Sequence, residues 1–158
     1  MRPVLLAATL LGAPLLAGPL LTTASPAMAE RAVLPGPIPA EVLEVVDGDT
    51  LAVRATIWLG HSVETRVRVD GIDTPERRAQ CPQEKQLAEA AHERLRALVA
   101  DGRVSLLDVQ NDKYGGRVRA RVVTAGGADV AEALLTAGLA RRYRGERRQS
   151  WCDVAALR

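Results

Sequence analysis

The sequence predicts an α+β fold dominated by a small β-barrel: five strands, one helix between the third and fourth, and a short helix near the C-terminus. Three observations carry that prediction. Leu51, Val53, Ala55 and Ile57 alternate with Ala52, Arg54, Thr56 and Trp58, the period of a half-buried strand. Between Pro82 and Ala100 the repeat changes to steps of three and four through Leu87, Ala91, Leu95 and Leu98, the stripe of an amphipathic helix. Turn-forming pairs, Asp47-Gly48, Gly60-His61 and Gly126-Gly127, separate the segments at short intervals, as antiparallel strands require.

The elements follow in order. The chain has 158 residues, of which residues 1–29 read as an export leader. Arg2 is the only charge before an apolar run from Val4 to Leu21, and Ala27-Met28-Ala29 supplies a small-residue cleavage pattern ahead of Glu30. The alternative is a membrane anchor, because the run approaches spanning length; Pro14 and Pro19 interrupt it. The leader has no cysteine to carry a lipid. Cleavage leaves about 129 residues, enough for one core and one domain. The expected product is secreted or periplasmic, monomeric and without a membrane partner. Glu30–Pro39 holds three prolines and no apolar period, so residues 30–39 read as a linker and 40–158 as the domain.

From Glu41 the strands begin. The first ends at the Asp47-Gly48 turn, the second runs through Leu51 and Val53, and the third carries Val67 and Val69 between Arg66, Arg68 and Asp70. Pro82 suits the first turn of the central helix, and Asp101-Gly102 its end. Val104–Val109 and Val118–Val123 are the fourth and fifth strands, joined by polar residues 110–116, and 130–137 is a short helix stopped by Gly138. This order suits a five-stranded Greek-key barrel, the OB architecture. With no Phe, two Trp and two Tyr, its core must consist of Val, Leu, Ile and Ala.

Charge and cysteine content narrow the function. Without the leader the net charge is about +1, so bulk charge does not demand a polyanionic partner. Residues 141–148 nevertheless hold five arginines against one glutamate, readable as a solvated tail or as a phosphate-facing patch. Cys81 and Cys152 are the only cysteines. In an exported chain they suggest a disulfide, worth about 4 kcal/mol in the chain-entropy model; two free thiols are the alternative. So distant a pair, without an adjacent histidine, makes a poor zinc site.

Three clusters carry the chemistry: VDGDT at 46–50, RVDGIDTPE at 68–76 and NDKYGGR at 111–117. Asp47 reads best as a turn former. Asp49 differs, because Asp73 and Glu76 follow at the end of the third strand; if the strands form a meander, Asp49 and Asp73 can meet across the sheet. Carboxylates with a backbone carbonyl suit a hard cation such as Ca²⁺ or Mg²⁺, whereas zinc prefers nitrogen or sulfur. A strand arginine such as Arg68 usually faces solvent, but beside a metal site its planar fork can bind two phosphate oxygens. The 111–116 loop has the spacing of neither an EF-hand nor a P-loop; it delivers Lys113, Tyr114 and Arg117 to one end of a strand pair. His61 and His92 lie outside the clusters and read as surface residues.

In this order, with a helix between the second and third, the clusters resemble the staphylococcal nuclease (thermonuclease) family, over about Val42 to Arg142. The resemblance implies an OB barrel with helices and hydrolysis of DNA and RNA with low sequence preference. It implies Ca²⁺ held by Asp49, Asp73 and the Thr74 carbonyl, with Glu76 as general base. It further implies Arg68 and Arg117 on the scissile phosphate and Lys113 and Tyr114 on a neighbouring one. Two glycines, Gly115 and Gly116, precede Arg117 where the family has one. An added residue reverses side-chain facing in a strand but is absorbed in a loop or bulge, so Arg119 is the other candidate for the second arginine. The family's long C-terminal helix is expected to be shortened here, with Cys81–Cys152 pinning the tail in its place. Tyr143 is a candidate base-stacking residue. The competing readings are a non-catalytic nucleic-acid-binding OB module, which normally carries more aromatics, and an exported structural domain with a vestigial site.

Overall fold

The computed structural model describes residues 32–152. Its elements are β1 (Val33–Leu34), β2 (Ile38–Asp47), β3 (Thr50–Trp58), β4 (His61–Val69), β5 (Ile72–Asp73), α1 (Pro82–Leu98), β6 (Arg103–Asn111), β7 (Arg117–Thr124), α2 (Val130–Thr136) and β8 (Arg141–Arg142). The expected leader lies outside the described residues. Among them, no helix is long and apolar enough to cross a membrane.

β2, β3 and β4 form an antiparallel meander; β4 then runs parallel to β7, β7 pairs with β6, and β6 returns to β2. Those pairings close a five-stranded barrel with α1 between its third and fourth strands, which is the predicted α+β, OB-type architecture. Closure leaves no free edge within the barrel. Register follows the apolar alternation: Leu51 lies opposite Val67, and Val67 and Val69 lie beside Val118 and Ala120. Leu51, Val53, Val67, Val69, Leu106 and Val122 are fully buried with Leu95 of α1 and Leu134 of α2. The core is aliphatic, as the scarcity of aromatics requires.

Three local expectations are corrected. The described part of the 30–39 segment is not a simple linker: β1 pairs with Val109 and Gln110 of β6, and Ile38 and Pro39 already belong to β2. Prolines hide such a strand from pattern reading, although their fixed φ is compatible with extended chain. Ile57 continues the alternation but is exposed, because the β3–β4 hairpin outruns the barrel. His92 is not a surface residue: its side chain is 19% exposed and its Nε2 lies 3.0 Å from the carbonyl of Val45. It borders the Ala88–Ala91–Leu95 stripe by which α1 packs on the barrel.

The predicted disulfide is present. Cys81 and Cys152 are bridged across 71 residues, and Cys81 is also the N-cap of α1. The tail segment is thereby fastened to the start of the central helix.

Candidate active site

Strand register builds the site. Thr50 opens β3 opposite Arg68 of β4, so Asp49, just before it, comes beside the Arg68 guanidinium. Arg68 Nη1 lies 2.8 Å from Asp49 Oδ2, and Nη2 lies 3.7 Å from Asp73 Oδ1. Nη2 also donates to the carbonyl of Ile72 at 2.9 Å. These groups are largely enclosed, Arg68 being 12% and each aspartate 7% exposed at the side chain. The two acidic stretches therefore converge on one fork.

Close packing of the first turn enforces the convergence. An ideal Cβ on Gly48 would stand 2.8 Å from the Ala91 Cβ and 3.0 Å from Thr74 Oγ1. The Asp47–Asp49 turn thus rests directly on α1 and on the residue after Asp73. Glu84, buried in the first turn of α1, accepts from the backbone N–H of Gln80 at 2.7 Å and of Glu76 at 3.4 Å. Sequence reasoning missed it. Its position three residues after the N-cap, where an acidic side chain can reach back to free N–H groups, was the available signal.

Asp49, Thr50, Arg68, Thr74, Glu76, Tyr114, Arg117 and Arg148 line one cleft of 170 Å³. A larger concavity of 760 Å³ between β2 and α1 brings together no comparable set of charged groups. Arg117 reaches the cleft because Gly116, at φ 74°, absorbs the additional residue before β7 begins. Asp112 then holds Arg117 Nε at 2.5 Å. Arg119 lies beside Arg68 in the β4–β7 ladder and lines the adjoining cleft, in contact with Gln110 at 2.9 Å and Asp70 at 3.4 Å. Of the two arginines that the sequence left as alternatives, Arg117 also lines the cleft that holds Asp49 and Glu76, and Arg119 does not. Lys113 lines the adjoining cleft of 160 Å³, and its Nζ and the Arg117 guanidinium each lie 5.1 Å from the centre of the Tyr114 ring. Tyr143 lies under Arg68, 6.0 Å from the guanidinium carbon.

Two further residues come from the tail and were not anticipated. Trp151, 4% exposed, donates from Nε1 to Asp73 Oδ2 at 3.3 Å. Arg148 reaches Asp73 Oδ1 at 2.9 Å through Nε and binds Glu76 Oε1 through Nη1. Neither belongs to a periodic element, so only the folded tail reveals them.

Electrostatics mark the centre as an acceptor of positive charge. Burial pushes the Asp49 carboxyl above its ordinary range; Arg68 and the Thr50 hydroxyl pull it down, and the Asp73 and Glu76 charges raise it again. Three carboxylates therefore share a confined space. The Cys81, Glu84 and Cys152 side chains also lie together, but those sulfurs are bonded to each other and form no metal site.

Comparison with curated proteins finds no match to the chain. The family model for the staphylococcal nuclease homologue matches residues 66–154. That match begins inside β4 and takes in Arg68, Asp73, Glu76 and Arg117, while Asp49 reaches the same centre through strand pairing. It covers more than half of the 158 residues, and the chain belongs to the staphylococcal nuclease homologue family.

Proposed function

We propose that the protein is a Ca²⁺-dependent nuclease that hydrolyses the phosphodiester bonds of DNA and RNA with low sequence preference. Family membership suggests nuclease activity on nucleic acid. The observation that carries the finer reading is the meeting of Asp49 and Asp73 on Arg68, beside a cleft lined by Asp49, Arg68, Thr74, Glu76 and Arg117.

A divalent cation fits these residues. Asp73 Oδ1 is buried and has no hydrogen-bond partner, and the available donors are oxygens, the set a hard ion requires. Asp49, Asp73 and the Thr74 carbonyl would hold it. When bound, the ion would neutralise part of the phosphodiester charge and favour ionisation of a nearby water.

The chain's own groups account for the remainder. Glu76, 52% exposed at the side chain, would accept the proton of a water attacking phosphorus in line. A general base must be within reach of that water, and Glu76 lines the cleft beside Arg148. Arg68 and Arg117 would bind the non-bridging oxygens and stabilise the extra charge of the pentacoordinate transition state. Each such fixed donor is commonly worth on the order of 10²–10³ in rate. Lys113 and Tyr114 would hold an adjacent phosphate. Tyr143 is engaged beneath Arg68, which supports an orienting role over base stacking.

The disulfide supports export to an oxidising compartment, and we assign residues 1–29 as a leader removed before Glu30. The mature domain is proposed to act as a monomer. The deciding experiment is digestion of plasmid DNA and single-stranded RNA by purified protein, with Ca²⁺ or with chelator. Cleavage should disappear with chelator and fall about 10³-fold in Glu76→Gln. Binding without cleavage would make the domain a nucleic-acid-binding module; neither would leave a structural domain.

A further inference from the structure

We propose that Arg148 is an internal counter-ion seated at the cation position of the acidic cluster, so that a divalent ion binds by displacing this guanidinium. The inference rests on the cation reading above. Asp49 is served by Arg68 and by Thr50 Oγ1 at 2.8 Å, and Asp73 Oδ2 by Trp151. Asp73 Oδ1 is left 3.7 Å from Arg68, beyond hydrogen-bond reach, and Glu76 projects into the cleft. Arg148 spans these two carboxylates.

The contact with Asp73 is one of charge. Nε comes to 2.9 Å, yet Oδ1 finds no hydrogen bond of acceptable geometry. A guanidinium held in this way is exchangeable for a more strongly charged ion that takes the same oxygen, and both cannot saturate Asp73 Oδ1 at once. Binding of each must therefore weaken the other to the same degree.

The tail is arranged to keep Arg148 in place. Upstream, β8 pairs with β5, and the Tyr143 N–H donates to the Gly71 carbonyl at 2.9 Å. Downstream, Arg141 lies 3.7 Å from the Trp151 ring centre and donates to the Ser150 carbonyl at 3.0 Å, and Cys152 is bridged to Cys81. With both ends of the intervening loop fixed, Arg148 is presented at high effective concentration. An untethered surface pair would contribute little. Here the guanidinium also offsets repulsion among Asp49, Asp73 and Glu76, which any metal-free protein must otherwise bear.

Calorimetric titration of the metal-free protein with Ca²⁺, alongside its thermal melting, tests the proposal. Arg148→Gln should bind Ca²⁺ about tenfold more tightly than wild type, melt at a lower temperature without the ion, and gain more from adding it. Arg148→Lys, which keeps a charge but loses the fork, should lie between. Arg147→Gln removes an exposed neighbouring charge and should leave the Kd within about twofold, which separates a local effect from net charge. Unchanged or weaker Ca²⁺ binding in Arg148→Gln, with wild type binding measurably, would overturn the counter-ion role alone. No binding in wild type and in every variant would remove the cation reading as well.

Discussion

Arg54 and Arg68 lie on adjacent strands of the same ladder, and each stands between two carboxylates. Arg54 reaches Glu41 at 3.0 Å and Glu64 at 2.8 Å, Arg68 reaches Asp49 at 2.8 Å and Asp73 at 3.7 Å. Chemical composition and distances are close; surroundings are not. The Arg54 group is 45% exposed, its partners about as open or more so, whereas Arg68 is 12% exposed. In water, such a pair nets between about 0 and 1 kcal/mol, because hydration competes with the partner and side-chain ordering costs entropy. Enclosed, the same pair organises a field, because removing one member strands the other in a medium that solvates it poorly. Burial therefore distinguishes a surface contact from a site, and Arg68 earns its role from the barrel wall around it.

Four measurements break or sharpen that contrast, beginning with the largest effect. Arg68→Ala should reduce nuclease activity by on the order of 10²–10³ and destabilise the fold by about 3–5 kcal/mol, since Asp49 loses its buried partner. Urea melts and initial rates on the same preparation check both. Arg68→Lys should recover more stability than activity, because a single ammonium cannot present a fork; equal recovery of both would mean that charge alone matters there.

Next comes the choice between arginines. Arg117→Ala should lower kcat by about 10², while Arg119→Ala, which loses half-buried contacts to Asp70 and Gln110 outside the cleft that holds Asp49 and Glu76, should stay within about threefold. Reversal of that order would show that the glycine pair positions the strand differently in the substrate complex.

A smaller effect concerns pH. The Asp49 carboxyl titrates above its ordinary range, with burial the leading cause. A raised folded pKa means that stability is fully present below the unfolded value and is lost as pH rises through the folded one. Metal-free wild type should therefore lose stability relative to Asp49→Asn, which cannot ionise, as pH rises from the carboxylate range to neutral, whatever constant offset the substitution adds by taking a partner from Arg68. Denaturation midpoints between about pH 3.5 and 7.5 follow this directly. A constant difference would show that Asp49 titrates normally. Last, Arg54→Ala should change stability by less than about 1 kcal/mol and leave cleavage untouched.

The sequence made much of this legible, for identifiable reasons. Strands over Leu51–Ala55 and Val67–Val69 could be read because burial on one face imposes alternation, and α1 because its apolar stripe has the helical repeat. The convergence of Asp49 with Asp73 could be anticipated because a meander places the end of one strand beside the start of another. What stayed hidden depends on contacts without period. β1 is too short to alternate. Arg148 and Trp151 sit in an irregular tail, and their partners lie 72 and 78 residues away in the chain. The ambiguity between Arg117 and Arg119 is of another kind: one extra glycine can invert a strand or vanish into a loop, and the letters alone do not say that Gly116 takes up a left-handed φ just before β7.

Gly48 carries a consequence for the evolution and engineering of this scaffold. Because helix and acidic loop abut the turn with no spare volume there, even a methyl group at position 48 would act as a shim, prising Asp49 away from Asp73 without removing any charged group. A protein so altered would retain every reactive side chain and still lose the cation site proposed for it. The tolerance of the centre is thus set by an atom that is missing as much as by those that are present.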